Sequence, residues 1–114
     1  METSSRTVKA LLPIILSASW LTNANSQDIS KSIQLAQNLG NLIASEQYCD
    51  LSYSQEAIAD FVEMNVSAED MEFPSRLEGF ITLSNFTLES KSLTAKMAHC
   101  TQITRLAKSH RFIK

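Results

Sequence analysis

The chain has 114 residues, a formal net charge of −2, two cysteines, two glycines and two prolines. This length allows one domain at most, and so few glycines and prolines disfavour a turn-rich β architecture. The slight excess of acid argues against a dedicated nucleic-acid-binding protein, because such proteins carry a basic excess.

The first 26 residues follow the pattern of a secretory signal peptide. Arg6 and Lys9 supply positive charge, and a mainly apolar run of twelve residues follows at 10–21. A transmembrane helix needs about 20 apolar residues, so this run is too short to span a bilayer. The alternatives to a cleaved signal are an uncleaved anchor and a buried N-terminal helix.

Signal cleavage is expected before Gln27. Ala24 and Ser26 form the pattern of two small residues that precedes a signal-peptidase site. Cleavage would leave residues 27–114 as a single small domain, exported to the periplasm or secreted. Because no second long apolar run follows, we expect no membrane span after signal cleavage.

Residues 28–47 are predicted to form the first amphipathic helix of this domain. Its apolar stripe, at helical spacing, comprises Ile29, Ile33, Ala36, Leu39, Gly40 and Ile43. Gly40 would either weaken the helix mildly or let a neighbouring backbone approach closely. We favour the close approach.

A second helix is predicted to begin at Ser54, whose hydroxyl is suited to an N-cap. Its inward face carries Ile58, Phe61 and Val62. The polar residues of the same segment lie on the opposite face, which is typical of an amphipathic helix on a small core.

Asp70 is predicted to cap a third helix, with Pro74 inside the first turn, where its missing N–H costs little. The inward face continues through Leu77, Phe80, Ile81 and Ser84, and "SNFT" at 84–87 closes the helix. A last helix is expected from about residue 89 to about residue 109. This pattern predicts an all-α fold, a small bundle of about four helices.

Cys49 and Cys100 are predicted to form one disulfide, because an exported chain with an even number of cysteines meets an oxidising space. The bond would close a loop of about 50 residues and contribute about 4 kcal/mol in the chain-entropy model. We interpret it as structural, since a redox motif keeps its cysteines close in sequence, as in C-x-x-C.

No residues of the chain form a recognisable catalytic or metal site. His99 and Cys100 are adjacent, so on a helix their side chains point about 100° apart. His99 and His110 are about three turns apart, ~16 Å, which is too far to share a metal ion. We therefore expect no catalytic residue, metal or cofactor. The sequons at Asn65 and Asn85 matter only in a eukaryotic source.

The apolar stripe of the last helix comprises Leu93, Met97, Cys100, Ile103 and Ala107. Its basic residues are spread around the helix rather than aligned on one face. That arrangement is poor geometry for a nucleic-acid or lipid surface, and it indicates a solvated exterior.

Charge is segregated along the chain. Ten carboxylates and one arginine, Arg76, lie between Glu46 and Glu89, whereas residues 90–114 hold six Lys or Arg and no carboxylate. Acidic helices packed beside the basic one would form surface pairs worth about 0–1 kcal/mol each. The alternative is a pH-sensitive domain that loses this attraction in acid. The candidate switch residues are Glu56, Asp60, Glu63, Glu69, Asp70, Glu72, Arg105, Lys108 and Arg111.

These features resemble the acid-stress periplasmic chaperones of the HdeA family. The matching elements are the export signal, Cys49 followed by acidic Asp50 in "YCDL", a long segment between the cysteines, and "CTQ" at Cys100–Gln102. The likeness covers the mature chain at the level of architecture. The chain also looks like short exported proteobacterial proteins of unknown function.

The chaperone resemblance implies a homodimer at neutral pH that acid loosens, exposing apolar surface to unfolding client proteins. We therefore expect a non-enzymatic exported protein that binds or protects other proteins in the cell envelope. The alternative is a structural or host-directed interaction protein with a fixed protein partner and no pH switch. A small hydrolase or redox enzyme is a third hypothesis, but short helices leave little room for a catalytic cleft.

Overall fold

The structure is a computed structural model, and it describes residues 28–114 of the chain. Within that part it contains four α-helices and no β-strand, which confirms the expected all-α class. The helices are α1 at residues 28–48, α2 at Gln55–Asn65, α3 at Phe73–Leu88 and α4 at Leu93–Ser109. The predicted signal peptide and its cleavage residues, Ala24, Ser26 and Gln27, lie outside the described residues.

From Ser32 onward, α1 is the central helix of the compact unit formed by Ser32–Lys114. α3, α4 and the segment that follows α1 all contact it, so its buried residues lie on several sides. They are Ala36, Leu39, Gly40, Leu42, Ala44 and Ser45. The predicted stripe is correct through its middle, but Ile33 is 39% exposed. A pattern with a single apolar face does not predict the burial of Leu42. Its carbonyl accepts a hydrogen bond from Tyr53, which comes later in the chain.

α2 begins as the sequence predicts. Ser54 is its N-cap, with an extended backbone and a hydroxyl that accepts a hydrogen bond from the Ala57 N–H at 3.2 Å. Its predicted inward residues are half-buried and pack against the core. Among them, Phe61 meets Phe112 edge-on, with ring centroids 5.8 Å apart. This contact holds α2 against the C-terminal tail, which comprises residues 110–114 after α4.

Tyr53 and Phe112 fill the core between α1 and the tail. Both side chains are buried, and their ring centroids lie 5.7 Å apart. The Tyr53 hydroxyl donates to the Leu42 carbonyl at 2.9 Å, and the Tyr53 N–H donates to the Glu46 carboxylate at 2.7 Å. Burial, together with the negative charge of Glu46, raises the pKa of Tyr53 to about 12. The phenol therefore stays protonated and remains a hydrogen-bond donor.

The start of α3 differs from the prediction. Glu72 takes the N-cap position, and no side chain caps the helix. The carboxylate of Asp70, the predicted cap, instead accepts hydrogen bonds from the Ser32 hydroxyl and the Arg76 guanidinium. The cap prediction is wrong because side chains from two other positions occupy this carboxylate. Pro74 does lie in the first turn, as expected.

α3 also continues past its predicted end. Residues 84–87 are helical, and the helix reaches Leu88, whose side chain is 3% exposed. Thr87 Oγ1 donates to the Leu83 carbonyl at 3.0 Å, so this polar side chain is satisfied inside the helix instead of breaking it. α4 starts later than expected, because Ser92 is its N-cap and accepts a hydrogen bond from the first turn.

α1 and α4 end in the same backbone motif. After α1, the Leu51 N–H donates back to the helix at 2.8 Å and Asp50 has a left-handed φ of 57°. After α4, the Phe112 N–H donates back at 2.9 Å and Arg111 has a φ of 62°. These are Schellman turns, which satisfy the last helical carbonyls and return an apolar residue to the core. Glycine usually occupies the left-handed position, but here Asp50 and Arg111 occupy it. The sequence therefore lacks the glycine that would indicate where each helix ends.

Gly40 lies where α1 and α3 pack closely. A Cβ built on Gly40 would lie 2.8 Å from the Cβ of Phe80 and 3.2 Å from the backbone nitrogen of Ile81. Neither neighbour is the flexible end of a side chain, so the two helices would have to separate to admit a methyl group. The predicted close approach of a neighbouring backbone at this glycine is confirmed.

We expect Gly40→Ala to lower the free energy of unfolding by about 1–3 kcal/mol, the usual cost of overpacking a core. Gly79 is the matched control, since it is also helical but a Cβ there would meet nothing within 4 Å. Gly79→Ala should raise the free energy of unfolding by roughly 0.5–1 kcal/mol through helix propensity alone. Urea unfolding followed by circular dichroism measures both, and equal shifts in the two variants would contradict the close packing.

Candidate functional site

Cys49 and Cys100 form a disulfide that joins the C-terminal end of α1 to the middle of α4. The S–S distance is 2.06 Å, the two Cα atoms lie 5.3 Å apart, and the cysteines are 51 positions apart in sequence. The predicted pairing is confirmed. Such a bond is consistent with an oxidising, exported location. Since Cys100 is bonded, it is not a nucleophile beside His99.

The disulfide brings Tyr48 and His99 together, because each residue precedes one of the two cysteines. Their rings meet edge-on, with centroids 6.1 Å apart. The Lys96 ammonium lies over the Tyr48 ring, 4.7 Å from its centroid, in a cation–π contact. These contacts extend the junction between α1 and α4 beyond the covalent bond itself.

Beneath this junction, His99 contacts the fully buried Ser45 of α1, and Nε2 lies 2.8 Å from Ser45 Oγ. The serine hydroxyl donates its one proton to the Asn41 carbonyl at 2.7 Å. His99 Nε2 must therefore carry a hydrogen and donate it to Ser45 Oγ. Because the serine is buried and its proton is committed, the pair is a structural hydrogen bond and not a nucleophile with its base.

His99 favours its neutral form. Burial lowers the pKa of His99 below its ordinary value of 6.5, and the positive charge of Lys91 lowers that pKa further. The imidazole thus has the cationic side chain of Lys91 as a neighbour while it donates to Ser45. Protonating His99 would place two positive charges close together at a partly buried position.

His99 and Lys91 border an open cleft of about 320 Å³. One wall is a row of amide side chains from α1, and the opposite wall, from α3, carries both apolar and hydroxyl side chains. The amide row is Gln37, Asn38 and Asn41, and the apolar side chains are Phe80, Leu83 and Leu88. The cleft therefore combines hydrogen-bonding groups, apolar surface and positive charge.

Large apolar side chains are exposed on α3 and on the first half of α4. They are Leu83, Phe86, Leu93 and Met97. Phe86 is 79% exposed and Leu93 is 75% exposed. The predicted apolar stripe of α4 is thus buried only in its second half, at Ile103 and Ala107. The first half of that stripe presents apolar surface to solvent.

The candidate charge-switch residues do not form the surface pairs that the sequence suggests. Among residues 28–114, the ion pairs are those of Arg76 with Asp70 at 3.3 Å and with Glu72 at 2.7 Å. None of these pairs involves α4, and Arg105 contacts Gln102 at 3.1 Å instead. The remaining candidates are exposed: Glu56, Asp60, Glu63, Glu69, Lys108 and Arg111. The Asp70 carboxylate is the one in this set that joins two helices, since Ser32 belongs to α1 and Arg76 to α3.

Within the described part of the chain, no group of three or more His, Cys, Asp or Glu side chains is placed to hold a metal ion. His99 contacts Tyr48 and Ser45, whereas His110 packs edge-on against Phe61 with ring centroids 4.9 Å apart. The two histidines therefore belong to different parts of the structure.

The cleft has no distinct signature in the sequence. Gln37, Asn38 and Asn41 resemble the ordinary polar side of an amphipathic helix, and Ser45 resembles a neutral small residue. One usable signal exists, because the predicted disulfide implies that the residues preceding the two cysteines approach each other. Those residues are Tyr48 and His99, but the position of Ser45 one turn earlier only follows from the packing of α4 on α1.

No helix among residues 28–114 has both the length and the apolar character needed to cross a membrane. Comparisons of the chain with models of protein families, with curated proteins and with solved structures gave no significant match. The resemblance to the HdeA family stays a prediction.

Replacing His99 tests whether its hydrogen bond makes folding sensitive to acid. Since the pKa of His99 is lowered on folding, the unfolded chain binds more protons once the pH falls below 6.5. Stability should therefore fall as the pH is lowered through this region. His99→Gln does not titrate and its amide can donate to Ser45, so we expect similar stability at pH 7 and a shallower loss between pH 7 and pH 5.

His99→Asn is the matched control. It also removes the titration, but its shorter side chain does not reach Ser45, so it should cost about 1 kcal/mol at pH 7 as well. Urea unfolding at a series of pH values separates the two effects. A pH dependence in His99→Gln as steep as in the parent chain would show that another group is responsible.

Proposed function

We propose that this chain is an exported, non-enzymatic helical protein that binds and protects other proteins in the cell envelope. The observation that carries the proposal is the exposed apolar surface of α3 and of the first half of α4, on a scaffold held by a disulfide. Exposed apolar patches flanked by polar groups are typical of protein-interaction sites. The occupant that fits this surface is an apolar segment of an unfolding protein.

The scaffold suits a protein that must keep apolar surface available. The disulfide restricts the unfolded chain whatever the state of the helices around it. Glu56, Asp60 and Glu63 of α2 and Glu69 of the α2–α3 connection are exposed, so like charge keeps copies of the chain apart outside the binding surface. A small domain can therefore expose Phe86 and Leu93 without an unrestricted tendency to aggregate.

Acid loosening, the chaperone-like form of the proposal, is supported by two contacts. Protonating His99 opposes burial and the charge of Lys91, which weakens the junction of α1 with α4. Protonating Asp70 would remove its charge-assisted hydrogen bond with Arg76 and weaken the junction of α1 with α3. Both changes would uncover α1, the helix on which the fold depends.

Export to the periplasm or the medium is supported by the N-terminal pattern and by the disulfide. We expect the protein recovered from the exported fraction to begin at Gln27, and its mass to rise by two hydrogen atoms on reduction. Intact mass with and without reductant measures both properties. A protein that keeps residues 1–26, or whose mass is unchanged by reductant, would contradict the corresponding part of the proposal.

Protection of client proteins tests the binding function directly. The exported chain should suppress light scattering by a model protein that unfolds at acid pH, and a dye for exposed apolar surface should bind it more strongly at pH 3 than at pH 7. Leu83→Ser combined with Phe86→Ser should reduce suppression several-fold, because both side chains belong to the exposed face. Met64→Ser combined with Met71→Ser removes two other exposed apolar side chains and should have little effect.

The possible results separate the hypotheses. No suppression at either pH would contradict protection of client proteins. Suppression with no increase in acid would retain binding but reject the acid switch. Loss of suppression in both double variants would show that general surface hydrophobicity, and not the face on α3, is responsible.

A further inference from the structure

We propose that the cleft between α1 and α3 binds the carboxyl-terminal end of a partner polypeptide, with the terminal carboxylate at Lys91. This inference rests on the proposed protein-binding function and specifies the chemistry of the segment that is bound. Three features of the cleft support it: an amide rim, apolar side chains on the opposite wall, and a positive end that has no carboxylate partner among the described residues.

The amide rim suits a peptide backbone. Gln37 and Asn41 are four residues apart and lie on the same side of α1, with Asn38 beside them. All three side chains are exposed, and no side-chain hydrogen bond joins them to another described residue. An amide side chain offers both a donor and an acceptor, which matches the alternating N–H and C=O groups of an extended segment.

The apolar side chains of the opposite wall suit those of such a segment. Phe80, Leu83 and Leu88 line the cleft from α3 together with the hydroxyl side chains of Ser84 and Thr87. Leu83 is also largely exposed to solvent. An apolar side chain that enters the cleft would cover surface that is now in contact with water. The volume of about 320 Å³ lies near the lower end of the range of ligand sites, so the cleft accommodates a short segment and not a folded domain.

The positive end of the cleft has a definite position. Leu88 is the last residue of α3, and Lys91 lies three positions later in the α3–α4 connection. On the other wall, Asn41 precedes by one turn the serine that contacts His99. Both walls therefore lead toward the pair formed by Lys91 and His99. A segment that lies along them would end at these two side chains.

Among residues 28–114, no carboxylate forms an ion pair at this end of the cleft. Among the described residues Lys91 forms no ion pair, and the first turn of α4, which follows it, contains no acidic residue. The charge of Lys91 reaches His99, because it lowers the pKa of that imidazole. The groups around His99 are Ser45 and Tyr48 from α1 and Lys91 from the α3–α4 connection, with Lys96 over the tyrosine ring. None of them is an anion, so a bound carboxylate would supply the missing negative charge.

The amide rim also favours a peptide over a hydrocarbon acid. A fatty acid would meet the apolar side chains and the positive end equally well. Its chain would, however, exclude water from the three amides without offering them a hydrogen bond, which is costly. A peptide backbone supplies those bonds.

The test compares two forms of one probe with the exported, disulfide-bonded chain. An N-acetylated apolar pentapeptide is prepared with a free C-terminal carboxylate and as the C-terminal amide, and binding is measured by NMR titration. We expect the carboxylate form to bind roughly tenfold more tightly, the gain typical of a charge-assisted hydrogen bond. Lys91→Gln should reduce this ratio to near one, and Lys108→Gln, which changes an exposed lysine in the last turn of α4 and outside the cleft, should leave it unchanged.

Two further readouts report on the cleft itself. The imidazole of His99 should titrate at higher pH when the carboxylate peptide is bound, because an adjacent anion favours the imidazolium form. Asn38→Ala combined with Asn41→Ala should weaken both peptides several-fold. Equal binding of carboxylate and amide peptides, or decanoate binding as tightly as the carboxylate peptide, would overturn the inference.

The outcome is distinguishable from failure of the proposed function. If the chain suppresses aggregation of a client protein but binds neither peptide, the inference fails and the function stands. If the carboxylate peptide binds as expected while no client protein is protected, the cleft has the proposed chemistry and the protecting function fails.

Discussion

The Cys49–Cys100 disulfide is the constraint on which the rest of this structure depends. It joins the end of the central helix to the middle of the last one, across 51 positions of sequence. A domain of fewer than 90 described residues buries only about 60–65% of its unfolded surface, so its margin of stability is thin. In the chain-entropy model a loop of this length contributes about 4 kcal/mol, which is comparable with the whole stability of a small domain.

The contacts around the disulfide explain why α1 is buried on several sides. Once α4 is fixed to its end, α3 packs on it through Gly40 and Tyr53 packs on it through the Leu42 carbonyl. Most of the fully buried side chains then gather around one helix instead of between two equal layers. A disturbance of α1 would therefore reach α3 and α4, which contact it directly.

The same arrangement leaves several large apolar side chains of α3 and α4 exposed to solvent. The first half of α4 projects beyond the core, so Leu93 and Met97 remain exposed although they continue the stripe of Ile103 and Ala107. The cleft opens between α1 and α3 and reaches Lys91 and His99 at one end. Apolar side chains, exposed amides and positive charge therefore occur together on this part of the surface.

The helical class, the N-cap of α2, the proline in the first turn of α3 and the disulfide pairing could all be predicted from the sequence. The first three depend on local propensity, and the pairing depends on a count of two cysteines. None of the four requires knowledge of the contacts between helices. The boundaries of α3 could not be predicted. Asp70 serves Ser32 and Arg76 instead of the cap, and burial of Leu88 extends the helix through residues with polar side chains.

Some features of the candidate site could likewise be predicted from the sequence, whereas others depend on the tertiary structure. The sequence by itself determined that acid and base are segregated along the chain and that no catalytic motif is apparent. Only the tertiary structure decided that the basic helix forms no ion pair with the acidic ones among residues 28–114, that His99 donates to Ser45, and that an amide row faces apolar side chains of α3. The physical reason is that these properties depend on the distances between helices. Those distances are set by packing at Gly40 and by the disulfide, and no periodic pattern within one helix contains them.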